Sequence, residues 1–209
     1  MNINTKRTFR DRIRFVGSLL FIWLYIPHII VYCLTDRHAI NSDIQQVMHQ
    51  IKTGFRLNHL FALVYLLHNN KYFRSLFYYR VGPVAALLIG WWRRGAADFI
   101  IPYSTKIGKG MWFAHPYATI LNAESIGDNF HCIHCTTLGT KAGMNGEGGM
   151  RPVIGNNVSV GCHVCIIGPV HIGNNVTIGA GSVVISDVPD NCIVAGNPAR
   201  IIKTIEKNG

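Results

Sequence analysis

Every sixth residue from Ile154 to Val184 is aliphatic (Ile154, Val160, Ile166, Ile172, Ile178, Val184), and glycine follows four of them directly, at Gly155, Gly161, Gly173 and Gly179. A period of six fits neither a helix, which repeats about every 3.6 residues, nor a half-buried strand, which alternates. It describes a chain that turns a corner every six residues, so that three hexads close one triangular coil with each aliphatic side chain on the axis. Stacked coils bury those side chains on one another, and neighbouring coils satisfy the backbone as parallel strands. Glycine after the aliphatic residue permits the close approach a corner needs. The same phase runs upstream as Ile101, Ile107 and Phe113, then as Ile120, Ile126, Cys132 and Leu138. One extra residue separates those two blocks, and a long excursion separates Leu138 from Ile154. The expected fold is a parallel β-helix over 98–188 with a C-terminal tail over 189–209.

Before residue 98 the hexad is absent and helical spacing takes over. Asn41-Ser42 is read as the cap of a helix carrying Ile44, Val47, Met48 and Ile51; Leu57, Leu60, Phe61, Val64 and Leu67 space a second, and Phe73, Leu76 and Phe77 a third. Gly82-Pro83 interrupts the pattern, and the apolar run Val84–Trp92 ends on Arg93-Arg94. These features define an α-helical segment over 41–97.

Residues 1–40 form a basic and apolar segment expected to associate with a membrane. Phe15 to Leu34 carries no charged side chain, which meets the length of a transmembrane helix, and Lys6, Arg7, Arg10, Arg12 and Arg14 precede it. Those cations stay in the cytoplasm by the positive-inside rule, so a single span would carry the rest of the chain across the bilayer. Pro27-His28 is expected to break the helix. Three placements stay open: on the membrane without crossing it, across it, or packed in an oligomer.

Charged residues are only 14% of the chain, hydrophobic residues 49%, mean hydropathy is +0.22 and the formal charge is +10, which excludes a disordered chain and calls for a polyanionic neighbour. The basic residues cluster beside the apolar run and do not alternate with aromatics along a groove, so nucleic acid is not expected. The cysteines are read as reduced thiols of a cytoplasmic protein. Cys132/Cys135 and Cys162/Cys165 have zinc-like CxxC spacing, yet Cys132 holds the inward aliphatic phase, where a thiol acts as a small hydrophobe, so no metal is expected. His163 and His171 are read as surface or subunit-contact residues.

From about 98 to 203 the chain resembles the serine O-acetyltransferase-like branch of the hexapeptide-repeat acyltransferases, whose β-helix is left-handed. The resemblance rests on Ile107-Gly108-Lys109-Gly110 leading to Ala114-His115-Pro116, on Thr136-Thr137-Leu138-Gly139, on Ile178-Gly179-Ala180-Gly181-Ser182-Val183-Val184, and on Val188-Pro189 with Ala195-Gly196-Asn197-Pro198-Ala199-Arg200. It implies an acetyl-CoA-dependent O-acetyltransferase, active as a homotrimer with a site shared between subunits. His115 falls on the catalytic histidine, a general base for an acceptor hydroxyl. Gly161, Cys162, Gly179 and Ala180 fall where the family holds the pantetheine arm; Arg200 and Lys203, cations just beyond the last coil, are the candidates for the CoA phosphates. The glycine-rich excursion 140–149 is the expected flap.

The departures bear on the acceptor. The family's aspartate partner of the histidine aligns with Ile100, leaving Asp98 two residues away as the candidate. The acidic residue before the histidine is Ala114, the second histidine is Arg151, here the candidate acceptor-binding residue, and the arginine before it is Met150. The expectation is a sugar hydroxyl of a surface-polysaccharide precursor, acetylated in the cytoplasm or at the cytoplasmic face of the membrane. A serine O-acetyltransferase of cysteine biosynthesis and a non-catalytic trimeric scaffold are the alternatives.

Overall fold

The computed structural model describes residues 3–51, 57–141 and 150–205, with side chains from residue 9. Residues 142–149, most of the expected flap, lie outside them. The chain divides between Ala96 and Ala97 into two compact units.

The first unit is helical: α1 (Ile3–Leu20), a 3-10 turn (Ile22–Tyr25), α2 (Ile26–Leu34), α3 (Arg37–Ile51), α4 (His59–Asn69), α5 (Lys71–Val81) and α6 (Pro83–Ile89). Asn58 caps α4 by accepting from Phe61 N at 3.0 Å, and Asn70 caps α5 by accepting from Tyr72 N and Phe73 N, each at 3.0 Å. Helix α4 buries Ala62 through Leu67 without interruption and forms the middle of the unit. Asp43 of α3 is fully buried and takes both donors of the Arg80 fork, at 2.9 and 3.3 Å, which ties α3 to α5.

Two sequence expectations are corrected. Helix α3 starts at Arg37, ahead of the Asn41-Ser42 cap: Asp36 Oδ1 accepts from His38 N at 2.9 Å, while Asn41 Oδ1 is already taken by the Tyr32 hydroxyl at 2.6 Å. The N-terminal break lies at the 3-10 turn, where the axis bends by 69°, and Pro27 stands in the first turn of α2, where its missing N–H costs nothing. No single helix among the described residues is long and apolar enough to cross a membrane.

The second unit is a parallel β-helix. Its first coil is β1 (Phe99–Ile100), β2 (Lys106–Ile107) and β3 (Trp112–Ala114); its second is β4 (Thr119–Leu121), β5 (Ser125–Ile126) and β6 (His131–Ile133). The third is β7 (Thr137–Gly139), β8 (Val153–Ile154) and β9 (Ser159–Val160), and the fourth β10 (Cys165–Ile167), β11 (His171–Ile172) and β12 (Thr177–Ile178). A last coil holds β13 (Val183–Val184) and β14 (Cys192–Gly196), so the parallel stack runs past residue 188, and β15 (Ala199–Thr204) folds back antiparallel on β14. Strands stack into three faces, led by β1, β2 and β3.

Ile126, Cys132, Leu138 and the series from Ile154 to Val184 are all buried, as the hexad requires. Apart from Leu138, whose counterpart lies outside the described residues, the residue four positions after each is buried as well: Phe130, Thr136, Val158, Val164, Val170, Val176, Ser182 and Val188. Ile120 breaks the expected phase. It is 40% exposed, and Leu121, which pairs with Leu138, fills the axis instead. Between the Ala114–Ile133 and Ile120–Thr137 pairs the corner holds five residues against three in the next coil, and the step from Leu121 to Ile126 is then five, so the inward position falls one beyond Ile120.

Candidate active site

Three edges join the three faces, and each has its own chemistry. On the edge between the second and third faces, Asn129, Asn157, Asn175 and Asn191 form a ladder, each amide donating to the next at 2.9 Å. All four have φ between 56° and 58°, a left-handed conformation that asparagine tolerates. This edge is structural.

The edge between the third and first faces carries His115. Ala118, Cys135, His163 and Gly181 recur in register there, each with positive φ, so the left-handed turn belongs to the corner itself. His115 is a second positive-φ residue, at 51°, present only in the widened first corner. Its ring is exposed, above a buried Pro116, and its carbonyl accepts from Tyr117 N at 2.7 Å. Phe99 pairs with Thr119 and the Asp98 carbonyl accepts from Thr119 N at 3.1 Å, so Asp98 is brought to the same corner, also exposed.

Gly161, Cys162, Gly179 and Ala180, which the resemblance implied for the cofactor, lie along this edge. Gly161 follows β9, and Gly179 and Ala180 follow β12 in register with it. A Cβ on Gly161 would stand 2.7 Å from Ala180 N, and one on Gly179 2.7 Å from Ala195 Cβ, so coil stacking alone demands glycine there. Cys162 accepts from Gly181 N at 2.9 Å through its carbonyl, and its side chain is half-buried. Arg200 pairs with Ala195 across β14 and β15, at the C-terminal end of the edge; Lys203 pairs with Ile193 and lies on the third face. Both are exposed.

Sequence reasoning missed a column of rings on this edge. Tyr117 stacks on His134 at 4.9 Å with planes 5° apart, and His134 meets His163 edge-on at 5.3 Å. The signal was a shared corner position for Tyr117 and His134, with His163 one residue beyond it in the next coil, hidden by the excursion between Leu138 and Ile154. A nearby histidine has another role: His131 stacks on Trp112 at 4.0 Å and contacts Ser159 Oγ at 3.1 Å, and burial lowers its pKa to about 4, so it stays neutral at pH 7.

Arg151 is on the remaining edge, between the first and second faces. Its guanidinium donates to Glu124 Oε2 at 2.7 Å and Ser104 Oγ at 2.9 Å, joining three coils. A groove of about 680 Å³ lies on the same edge, with Lys141, Ile167 and Asp187 in its wall. One protomer therefore does not bring Arg151 to His115. Burial pushes the Cys132 thiol up, keeping it a protonated core side chain. Among the described residues no three His, Cys, Asp or Glu side chains group as metal ligands.

The pattern described as Bacterial transferase hexapeptide (six repeats) matches residues 151–186. The chain is 41% identical over 102 residues, 48% of its length, to the putative colanic acid biosynthesis acetyltransferase WcaB of Escherichia coli. It spans 61% of that relative and 30% of another curated one. Soybean serine acetyltransferase complexed with serine is 30% identical, with a TM-score of 0.62 over 79% of this chain and 69% of that one. The Brucella abortus serine acetyltransferase in complex with coenzyme A is 26% identical, with a TM-score of 0.62 over 81% and 68%.

Proposed function

Because the chain belongs to the hexapeptide-repeat transferases, we propose that it moves an acetyl group from acetyl-CoA to a hydroxyl, with His115 as general base. The observation that carries this reading is the His115 edge, where an exposed imidazole, the Asp98 carboxylate and the small residues Gly161, Cys162, Gly179 and Ala180 share one corner column. In the reaction the imidazole takes the acceptor proton as the oxygen attacks the thioester carbonyl. The C–S bond then breaks, and the imidazolium returns the proton to the CoA sulfur. Such a base contributes roughly 10²–10⁴ in rate. Asp98 orients the ring, the backbone of the small residues lines the pantetheine arm, and Arg200 and Lys203 meet the phosphates. The coenzyme A complex of the Brucella enzyme supports this cofactor.

The acceptor we favour is a sugar of a surface-polysaccharide precursor, and the reaction cytoplasmic, where acetyl-CoA is held. Likeness to the colanic acid enzyme supports the sugar. Arg151 donates to Glu124 and Ser104, so an amino-acid carboxylate would compete with Glu124 for it. The assembly we favour is a homotrimer, because only a neighbouring copy can bring the Arg151 edge to His115. Serine is the second reading, supported by likeness to the serine-bound soybean enzyme. CoA release from acetyl-CoA, measured with nucleotide-sugars, free sugars and serine, separates the two: turnover with sugars alone is expected, and turnover with serine alone overturns the sugar assignment.

A further inference from the structure

The chain's net charge sits wholly in its helical unit. Residues 1–96 hold thirteen Lys and Arg against three Asp, whereas residues 97–209 hold seven basic and seven acidic residues. Of the three aspartates, Asp11 and Asp43 are buried, and Asp36 caps the backbone of α3. Arg10, Arg12, Arg14, Arg37 and Arg94 are exposed. The outer surface of the unit is thus cationic and nearly free of carboxylates.

On two helices of the unit the exposed side chains are wholly apolar. Helices α2 and α6 pack on each other, and every exposed position on either is apolar: Ile26, Pro27, Ile30, Cys33 and Leu34 on α2, Pro83, Val84, Leu87 and Leu88 on α6. Leu34 is 81% exposed and Leu87 78%. Trp23 precedes α2 at 62% exposure and Trp91 follows α6 at 75%, next to Arg93-Arg94. Helix α1 repeats the arrangement, with Phe9, Ile13, Val16 and Leu20 exposed at helical spacing beside Arg10, Arg12 and Arg14. The opposite sides face the unit's core through Tyr25, His28, Tyr32 and Ile89. Soluble surfaces rarely carry so many large apolar side chains together.

We propose that this face lies on an anionic lipid surface, with α2 and α6 seated among the acyl chains, Trp23 and Trp91 at the headgroup level, and the arginines on lipid phosphates. Apolar exposure alone would fit a second copy of the chain equally well. The charge decides for lipid, since two such faces would bring like-charged arginines together, whereas each cation near an anionic bilayer gains about 1 kcal/mol. The 69° break between α1 and α2 fits helices lying in the interface. The inference does not depend on acetyl transfer, because binding is read without turnover.

The test is sedimentation of the full chain with phosphatidylcholine vesicles, alone or mixed with phosphatidylglycerol, alongside its sedimentation coefficient without lipid. Binding is expected to the mixed vesicles only, and to weaken as ionic strength rises. Arg10→Gln/Arg12→Gln/Arg14→Gln should weaken it about a hundredfold, and Leu87→Gln or Trp91→Gln about tenfold each. These side chains are exposed, so the variants should keep the wild-type circular dichroism. Failure to bind mixed vesicles, or Leu87→Gln shrinking the lipid-free assembly while vesicle binding is unchanged, would overturn the proposal; the second result would assign the face to another copy. Extraction only by detergent, insensitive to salt, would overturn it in favour of a span.

Discussion

The two units of this chain solve the same problem, burying apolar side chains, in opposite ways. In the β-helix each coil covers the next: Ile154, Val160, Ile166, Ile172, Ile178 and Val184 lie on one axis and each is at most 2% exposed. The unit is electrically neutral, and its corners are closed by backbone bonds and the asparagine ladder. The helical unit holds a dry centre in α4 yet leaves the outer sides of α2 and α6 apolar and uncovered, and α1 exposes apolar side chains together with Arg10, Arg12 and Arg14. A repeat supplies its own partner at every step, whereas an amphipathic helix buries its second face only against something outside itself. Under the two proposals, chemistry belongs to the closed unit and attachment to the open one.

Ile166→Ala should cost about 2–5 kcal/mol, because the axis has no room to relax around the cavity; a loss below about 1 kcal/mol in denaturant melts would mean the stack is looser than described. Acid should come next. Burial lowers the pKa of His28 to about 4, with the Arg74 charge adding to the effect, and His131 in the other unit is lowered to about 4 by burial alone. An unfolded imidazole titrates near 6.5, so the stability from a neutral buried ring is full above that pH and is lost as pH falls toward 4. For the fully buried His28 this amounts to about 2 kcal/mol by pH 5. His131→Phe should flatten the acid dependence of the β-helix and leave that of the helical unit unchanged, as followed by tryptophan fluorescence and hydrogen exchange. Asn175→Ala, which removes two rungs of the ladder, should cost about 1 kcal/mol, its exposure limiting the loss. The smallest effect belongs to the uncovered face: Leu87→Gln should change thermal stability by less than about 0.5 kcal/mol.

How legible each unit was in the sequence follows the same contrast. The hexad exposed the β-helix because Ile154 to Val184 repeat without a gap, and it slipped at Ile120 because the first corner gains two residues and the next edge loses one, which puts Leu121 on the axis. The second buried position of the described hexads went unread although Val158, Val164, Val170, Val176 and Val188 repeat there, because Phe130, Thr136 and Ser182 interrupt the series. In the helical unit the spacing of apolar residues gave α4 and α5. The start of α3 was missed because Asn41 and Asp36 are both good caps, and only the fold gives Asn41 to Tyr32. The His115 corner was legible through its motif and the extra residue that widens it. The edge on which Arg151 stands was not, because the excursion before it hides the coil count.

The central claim is that the β-helix does chemistry at the His115 edge. His115→Ala, assayed for CoA release with the best acceptor, should lose roughly 10²–10⁴ in turnover while acetyl-CoA binding by calorimetry stays within about twofold, since the imidazole acts on the acceptor hydroxyl. Asp98→Asn in the same assay shows whether a carboxylate orients the ring. Near-wild-type turnover in His115→Ala, with the assembly and acetyl-CoA affinity intact, would contradict the account and leave the β-helix as a scaffold.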